Sequence, residues 1–347
     1  MPVTMTNPWR GRGLGLDAPM PCDDPAGVAA LLAKCPAHAP TPLADAPILA
    51  ARAGVASLRI KDERGRMGLG SFKALGAAHA IAREAAATAP DDWASALAGR
   101  TYITASAGNH GLSVAAGAGL FGAAAVVYLS DTVPEPFAAR LAARGARVVR
   151  EGATYEASMD AAAAVARDRG WTLLSDSSWP GYTELTYRVM EGYLQLAAEA
   201  AEQIDAPPTH VLVQAGVGGL AAAVAAHARR VWGDGPQIVV VEPDAAPALR
   251  DSIRAGEVVD TTGPVSAMGR LDCKTPSLIA LNGLSRDADL FVTITEEEAA
   301  RAMPVLSGHG FATTPSGGAG LAALFAGLAP GAEARVLAIL SEGPEDG

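Results

Sequence analysis

Cysteine is scarce in this chain. Cys22, Cys35 and Cys273 are the three in 347 residues. They are odd in number, far apart and free of any C-x-x-C spacing, which excludes a disulfide framework and a cysteine-held zinc and points to a reducing cytoplasm; no metal site is expected. Basic residues are short too: 27 lysines and arginines face 37 aspartates and glutamates, a formal net charge of −10, and no basic cluster interleaves with aromatics. A nucleic-acid partner is therefore not expected. Charged residues make up only 18% of the chain while hydrophobics reach 50%, a balance that excludes general disorder. No charge-free run reaches ~18 bulky apolar residues, and residues 1–10 lack the apolar stretch of a secretion signal, so a soluble protein without a membrane partner is the expectation.

What the chain has instead is small residues. Alanine and glycine carry much of the apolar count while aromatics are only 5%, which favours close helix-on-sheet packing and hence an α/β protein. The length leaves room for one large or two medium domains. Residues 1–40 read as a surface arm around one short amphipathic helix at 27–32, and the prolines of Ala39-Pro40-Thr41-Pro42-Leu43 force an extended path. A strand at 57–60 leads to a helix from 73 to 85. Strands at 101–104, 125–129 and 147–149 then alternate with helices at 112–121, 136–144 and 155–169. After the polar segment 175–182 come a long helix at 184–204 and a strand at 210–214 that runs into a glycine turn and an alanine-rich helix. Strands at 238–242, 290–294 and 336–340, a loop at 268–277 and helices at 295–306 and 317–326 complete the pattern. Such alternation predicts parallel sheets covered on both faces.

The most informative stretch runs from Lys61-Asp62-Glu63 to Gly70-Ser71-Phe72-Lys73. A lysine amine becomes a useful nucleophile toward an aldehyde when its surroundings lower its pKa, and Lys73 is the candidate. It opens a helix of small residues, Ala74, Gly76 and Ala77, against which a flat ring would have room to lie. Gly216-Val217-Gly218-Gly219 sits between a strand and a helix, where amides can approach a phosphate at the positive helix end. A tight turn is the plain alternative, and a dinucleotide fingerprint lacks its third glycine. Ser106-Ala107-Gly108-Asn109-His110 opens another helix after a strand. Its amides suit a substrate carboxylate and Asn109 offers a donor for a phenolate-like oxygen, although Ser106 can be simply a helix cap and His110 reads best as a satisfied surface residue.

Taken in order, Thr41-Pro42-Leu43, the block ending in Phe72-Lys73, Gly108-Asn109-His110-Gly111, Asp176 with Trp179-Pro180-Gly181-Tyr182-Thr183, Gln214-Ala215-Gly216-Val217-Gly218, Val241-Glu242-Pro243 and Ser341-Glu342-Gly343 form a pattern. It resembles the fold type II pyridoxal-phosphate enzymes, tryptophan synthase beta-like proteins of the threonine and serine dehydratase group, and within them the diaminopropionate ammonia-lyases most closely. The resemblance implies two parallel-type open sheets, in a large cofactor-binding domain (1–80 and 185–347) and a small mobile domain (81–184), and a homodimer. It implies that Lys73 forms a Schiff base with pyridoxal 5'-phosphate and that Asn109 meets the ring oxygen. Gly216, Val217, Gly218, Gly219 and Leu220 would hold the phosphate, and Ser341 the pyridine nitrogen. A neutral hydroxyl there suits β-elimination more than transamination. Ser106, Ala107, Gly108 and His110 would hold a substrate carboxylate. Asp176 resembles a second catalytic carboxylate near a β-amino group, a turn aspartate being the alternative.

The implied reaction is α,β-elimination on a small L-amino acid such as 2,3-diaminopropionate, giving pyruvate and ammonia, with Lys73 removing the α-proton. An L-serine, threonine or hydroxyaspartate dehydratase is the neighbouring alternative; a nicotinamide-dependent oxidoreductase or a non-catalytic ligand-binding protein would be more distant ones. Two features depart from the pattern. Ala107 stands where the ammonia-lyases are similar in placing an aspartate, and alanine cannot exchange a proton, so L-substrates are expected to react and D-isomers poorly. Six residues follow Ser341, which leaves no expectation of an appended regulatory domain. Cys273, in Gly269-Arg270-Leu271-Asp272-Cys273, reads as a buried small hydrophobe.

Overall fold

The computed structural model describes residues 1–106, 108–131 and 133–344. Strands and helices alternate as the sequence pattern requires, and the strands collect into two open sheets. The larger has seven strands in the order β1 (Val3–Thr6), β10 (Leu290–Ile294), β9 (Gln237–Pro243), β8 (His210–Gln214), β11 (Arg335–Leu340), β3 (Ser57–Asp62), β2 (Leu43–Asp45). Its five central strands are parallel, and β1 and β2 close the edges antiparallel. The smaller sheet, all parallel, runs β6 (Arg147–Arg150), β5 (Ala124–Leu129), β4 (Thr101–Ala105), β7 (Thr172–Leu173).

The central strands are apolar at nearly every position because both faces are covered, and the two-residue period sorts their side chains. Val211, Val213, Ile238, Val240, Leu337 and Ile339 face α3 (Lys73–Ala87), α7 (Glu184–Gln203), α8 (Gly219–Trp232) and α10 (Leu278–Asp287). Leu212, Val239, Val241, Val336 and Ala338 face α2 (Pro47–Ala53), α11 (Glu296–Ser307) and α12 (Ala319–Phe325). The first of these cores also takes in Tyr102, Val127 and Leu129 of the smaller sheet, by way of α3 and α4 (Asn109–Leu120). One apolar core thus runs beneath both sheets. The outer face of the smaller sheet is covered by α6 (Tyr155–Arg169), through Ala162 and Ala166 against Ile103, Val126 and Tyr128.

Three sequence expectations need correction. Residues 1–40 are more than an arm, since β1 is an edge strand of the large sheet and the following segment is pinned to α10, where Asn282 Nδ2 donates to the Ala18 carbonyl. The small residues after Lys73 serve helix packing, not a ring. A Cβ on Gly76 would sit 2.5 Å from Tyr193 Cε1, and one on Gly192 would sit 2.6 Å from the Leu75 carbonyl oxygen, so α3 and α7 approach almost backbone to backbone. The division expected at residue 80 also falls within α3, which runs unbroken to Ala87.

The chain just before Lys73 is anchored by buried charge. Lys61, Glu63 and Arg66 have no exposed surface, and Glu199 of α7 has 3%. Lys61 Nζ donates to Glu199 Oε2 (2.7 Å), the Thr41 carbonyl (2.7 Å) and Gln203 Oε1 (3.0 Å), which uses all three of its protons. Arg66 is forked between Glu63 (2.7 Å) and Glu199 (2.7 and 2.9 Å). Two cations and two carboxylates close a neutral cluster. Burial by itself would raise the Glu199 pKa, yet the Arg66 and Lys61 contacts outweigh it and hold the carboxyl near about 2, below its ordinary 4.5.

Because the folded pKa is depressed, this carboxylate contributes stability that is fully present above pH 4.5 and is lost as pH falls through 2. Glu199→Gln is expected to destabilise the fold by about 3–5 kcal/mol, the cost of stranding two buried cations. It should also flatten the acid limb of stability. Urea melts between pH 7 and pH 3 check both, and an unchanged acid limb would contradict the assignment.

Candidate active site

Parallel strands place their following loops at one edge, and ligands in open α/β sheets bind there. Each expected site segment lies at such a carboxyl end: Ser341 after β11, the glycine turn after β8, Ser106 after β4 and Asp176 just beyond β7. Lys73 joins them because Gly70-Ser71-Phe72 pairs with the chain beyond β11. Phe72 N donates to the Ser341 carbonyl (3.1 Å) and Gly343 N to the Gly70 carbonyl (2.9 Å).

Lys73 Nζ forms an ion pair with Asp176 Oδ2. Their side chains keep 21% and 18% of their surface open, so the pair lines a space and is not sealed into the core. Burial opposes both charges, but their mutual attraction wins: the lysine is held above its ordinary value and the aspartate below its own. Tyr193 flanks the amine, its ring centroid 5.8 Å from Lys73 Nζ, and packs edge-on against Phe72 at 4.9 Å between centroids. Its buried hydroxyl has no hydrogen-bond partner among the described residues, and burial raises its pKa.

His110 is buried, which corrects its reading as a surface residue. Its Nε2 donates to the Leu174 carbonyl (2.9 Å), leaving Nδ1 without a partner among the described residues, and burial lowers the pKa, which favours the neutral ring. Ser106 Oγ accepts from Gly108 N (3.2 Å), so it braces the turn as well as lining it. Asn109, first residue of α4, donates from Nδ2 to Glu342. Ala107 lies outside the described residues.

At the glycine turn, Gly218 has φ +99°, and α8 begins at Gly219 with no side-chain cap, which leaves its first amides for an anion. A Cβ on Gly216 would lie 3.0 Å from Cys273 Sγ and from the Arg270 carbonyl; one on Gly218 would lie 2.9 Å from Ala280 Cβ. Cys273 therefore borders the site instead of being a core hydrophobe, and burial pushes its thiol up to about 12. Ser341 Oγ accepts from Gln214 Nε2 at 2.8 Å. A cavity of about 710 Å³ is bordered by Asn109 and Glu342 but by neither Lys73 nor the glycine turn, so it adjoins this constellation without containing it.

The model of the family described as "Pyridoxal-phosphate dependent enzyme" matches residues 35–342, nearly the whole chain. The chain belongs to that family. Among characterised relatives, it is 32% identical to diaminopropionate ammonia-lyase of Escherichia coli K12, over 90% of this chain and 86% of the relative. It is also 32% identical to the Salmonella typhimurium enzyme of the same name, over 78% of this chain and 72% of that one. The E. coli ammonia-lyase in complex with an aminoacrylate-PLP azomethine reaction intermediate superposes with a TM-score of 0.89 at 30% identity, covering 100% of this chain and 94% of that one. This is therefore a pyridoxal-phosphate dependent enzyme of the fold type II architecture.

The residues fit that cofactor. A family member needs an amine for the aldehyde, a cradle for the phosphate and a partner for the pyridine nitrogen; Lys73, the uncapped α8 terminus and the Ser341 hydroxyl are the groups that would supply them. Among the described residues no group of three or more His, Cys, Asp and Glu is placed to hold a metal. Sequence reasoning overlooked Tyr193 and Tyr155, and gave Gln214, though part of the motif before the glycine turn, no role of its own. Tyr193 lies mid-helix at an apolar position, and Gln214 ends an apolar strand, so neither carries a local sign. Tyr155 begins α6 and keeps 47% of its surface open, while partial desolvation and then the Asp176 charge raise its phenol pKa.

Gly218→Ala would force an L side chain into a left-handed backbone and against Ala280. The expected result is a loss of affinity for pyridoxal phosphate of about tenfold or more, a cost of 1–2 kcal/mol or above at the phosphate turn. Equilibrium dialysis measures it, with circular dichroism as the folding control.

Proposed function

We propose that this enzyme is an ammonia-lyase that removes the β-amino group of a small L-amino acid, with 2,3-diaminopropionate as the type substrate. The observation that carries the reading is the Lys73–Asp176 pair. A β-ammonium group needs a carboxylate beside the reacting carbons, and the β-hydroxyl of serine or threonine does not. The names and structures of the relatives point the same way.

Bound pyridoxal phosphate supplies an aldehyde for the substrate amine and a conjugated ring that takes up electron density from the α-carbon. The remaining work falls to side chains. In the free protein Asp176 keeps Lys73 protonated. With the cofactor bound, Lys73 would be released as a neutral amine when the substrate amine takes its place, and a substrate β-ammonium at Asp176 would occupy the carboxylate, so that the amine stays neutral and can take the α-proton. The amides of the turn containing Ser106, Gly108 and Asn109 receive the substrate carboxylate. Phe72 and Tyr193 exclude water from one side of the amine. With one water consumed, diaminopropionate gives pyruvate and two ammonia. The polar loops of the segment 81–184 and the residues of the larger sheet meet across this site. Their closing as a small mobile domain on a large one, in a cytoplasmic homodimer, belongs to the same reading.

Borohydride is expected to fix the cofactor to Lys73 in a peptide map and to label nothing in Lys73→Ala. Asp176→Asn should lower kcat/KM for L-2,3-diaminopropionate by about a hundredfold or more, the cost of losing a buried charge partner, and for L-serine by far less. Equal losses on both would favour the dehydratase reading. Because residue 107 is an alanine with no exchangeable proton, kcat/KM for the L-isomer should exceed that for the D-isomer by about a hundredfold, the contribution of one acid–base group. Comparable rates in an ammonia assay would overturn this.

A further inference from the structure

Gln214 is 1% exposed and ends β8 directly above the glycine turn. Its two Nε2 protons go to the Gly317 carbonyl (2.7 Å) and Ser341 Oγ (2.8 Å), with the Ile339 carbonyl sharing one of them at 3.2 Å. The two carbonyl oxygens fix the amide's orientation, because turning it over would bring Oε1 against both of them. Gly320 leaves room for this arrangement: a Cβ there would lie 3.0 Å from Gln214 Oε1. The Ser341 hydroxyl therefore has one lone pair committed to an N–H. Its own proton has to point elsewhere.

On the reading that Ser341 faces the pyridine nitrogen, we infer that Gln214 is a positioning residue that aims the Ser341 proton at that nitrogen and so keeps it unprotonated. A hydroxyl can either donate to a bare ring nitrogen or accept from a protonated one. By supplying an N–H to Oγ, Gln214 favours the first. The adjacent carboxylate of Glu342 is not offered to the ring, since Thr314 Oγ1 and Asn109 Nδ2 donate to it and Arg270 Nε lies 3.2 Å from it. An unprotonated ring withdraws electrons less strongly, so the α-carbanion is short-lived unless a β-substituent departs. Elimination is thereby favoured over reprotonation at another carbon. Gln214 thus contributes to reaction choice without touching the substrate.

The test is the nitrogen resonance of the holoenzyme reconstituted with pyridoxal phosphate carrying ¹⁵N in the ring. The wild type is expected to give the unprotonated shift from pH 6 to 9. In Gln214→Glu, an acid with at most one proton cannot serve two carbonyls and the hydroxyl, so Oγ is released to accept. The ring nitrogen should then be protonated about three- to tenfold more at a given pH, the effect of one hydrogen bond. Gly320→Ala, which crowds Gln214 without removing it, should shift the profile in the same direction, and it decides the matter if the first variant does not fold. A protonated wild-type ring, or variant profiles identical to the wild type, would overturn the inference. Ser341→Ala separates the two levels. If it moves the resonance and the Gln214 and Gly320 variants do not, only the role of Gln214 fails; if it too leaves the resonance unmoved, Ser341 does not face the ring and the cofactor placement itself fails.

Discussion

Four buried charges anchor the chain that delivers Lys73. Lys61 and Glu63 lie at the end of β3, Arg66 in the turn that follows, and Glu199 on α7, so the cluster ties the chain that delivers Lys73 to the helix that packs against it. Desolvating such groups is expensive, and only complete mutual pairing makes it tolerable. That all-or-none requirement gives the turn a single conformation. An apolar plug of the same volume could stabilise as much but would not specify the position of the backbone so narrowly. From this anchor the chain passes through Gly70-Ser71-Phe72, pairs with Ser341–Gly343, and enters α3 with the lysine as its first residue.

The second constraint is the shared apolar core. Glycines at 76 and 192 let α3 and α7 touch at backbone distance, and α4 packs on α3 where a Cβ on Gly117 would lie 3.0 Å from Ile81. These contacts set the carboxyl edges of the two sheets facing each other. Asp176 and the Ser106 turn come from one sheet, and Lys73, the glycine turn and Ser341 come with the other. No short segment holds the site. It exists only where the two edges meet.

Within that space the electrostatics run in pairs. Lys73 and Asp176 keep each other charged in surroundings that disfavour either charge alone. Around them the groups that would compete are neutral: His110 is pushed down, and Tyr193 and Cys273 are pushed up, each chiefly by burial. A site with one poised ion pair among neutral groups responds strongly to a new cation or anion, which is what a zwitterionic amino-acid substrate brings.

The sequence by itself determined the periodicity and the chemistry. Near-continuous Val and Ile runs such as Val211-Leu212-Val213 and Ile238-Val239-Val240-Val241 can only be strands covered on both faces, and the glycine turn after β8 and Lys73 after Gly70-Ser71-Phe72 are local patterns with local causes. Those elements stand within a residue or two of their expected places. Tertiary structure alone decided what lies next to what. Gly76 looked like room for a ring and is room for Tyr193; His110 looked exposed and is buried. The pairing of Lys73 with Asp176, and of Gln214 with Ser341, joins residues more than a hundred positions apart. A period of two or of 3.6 residues reports which face a side chain is on, but it carries no information about which distant segment covers that face.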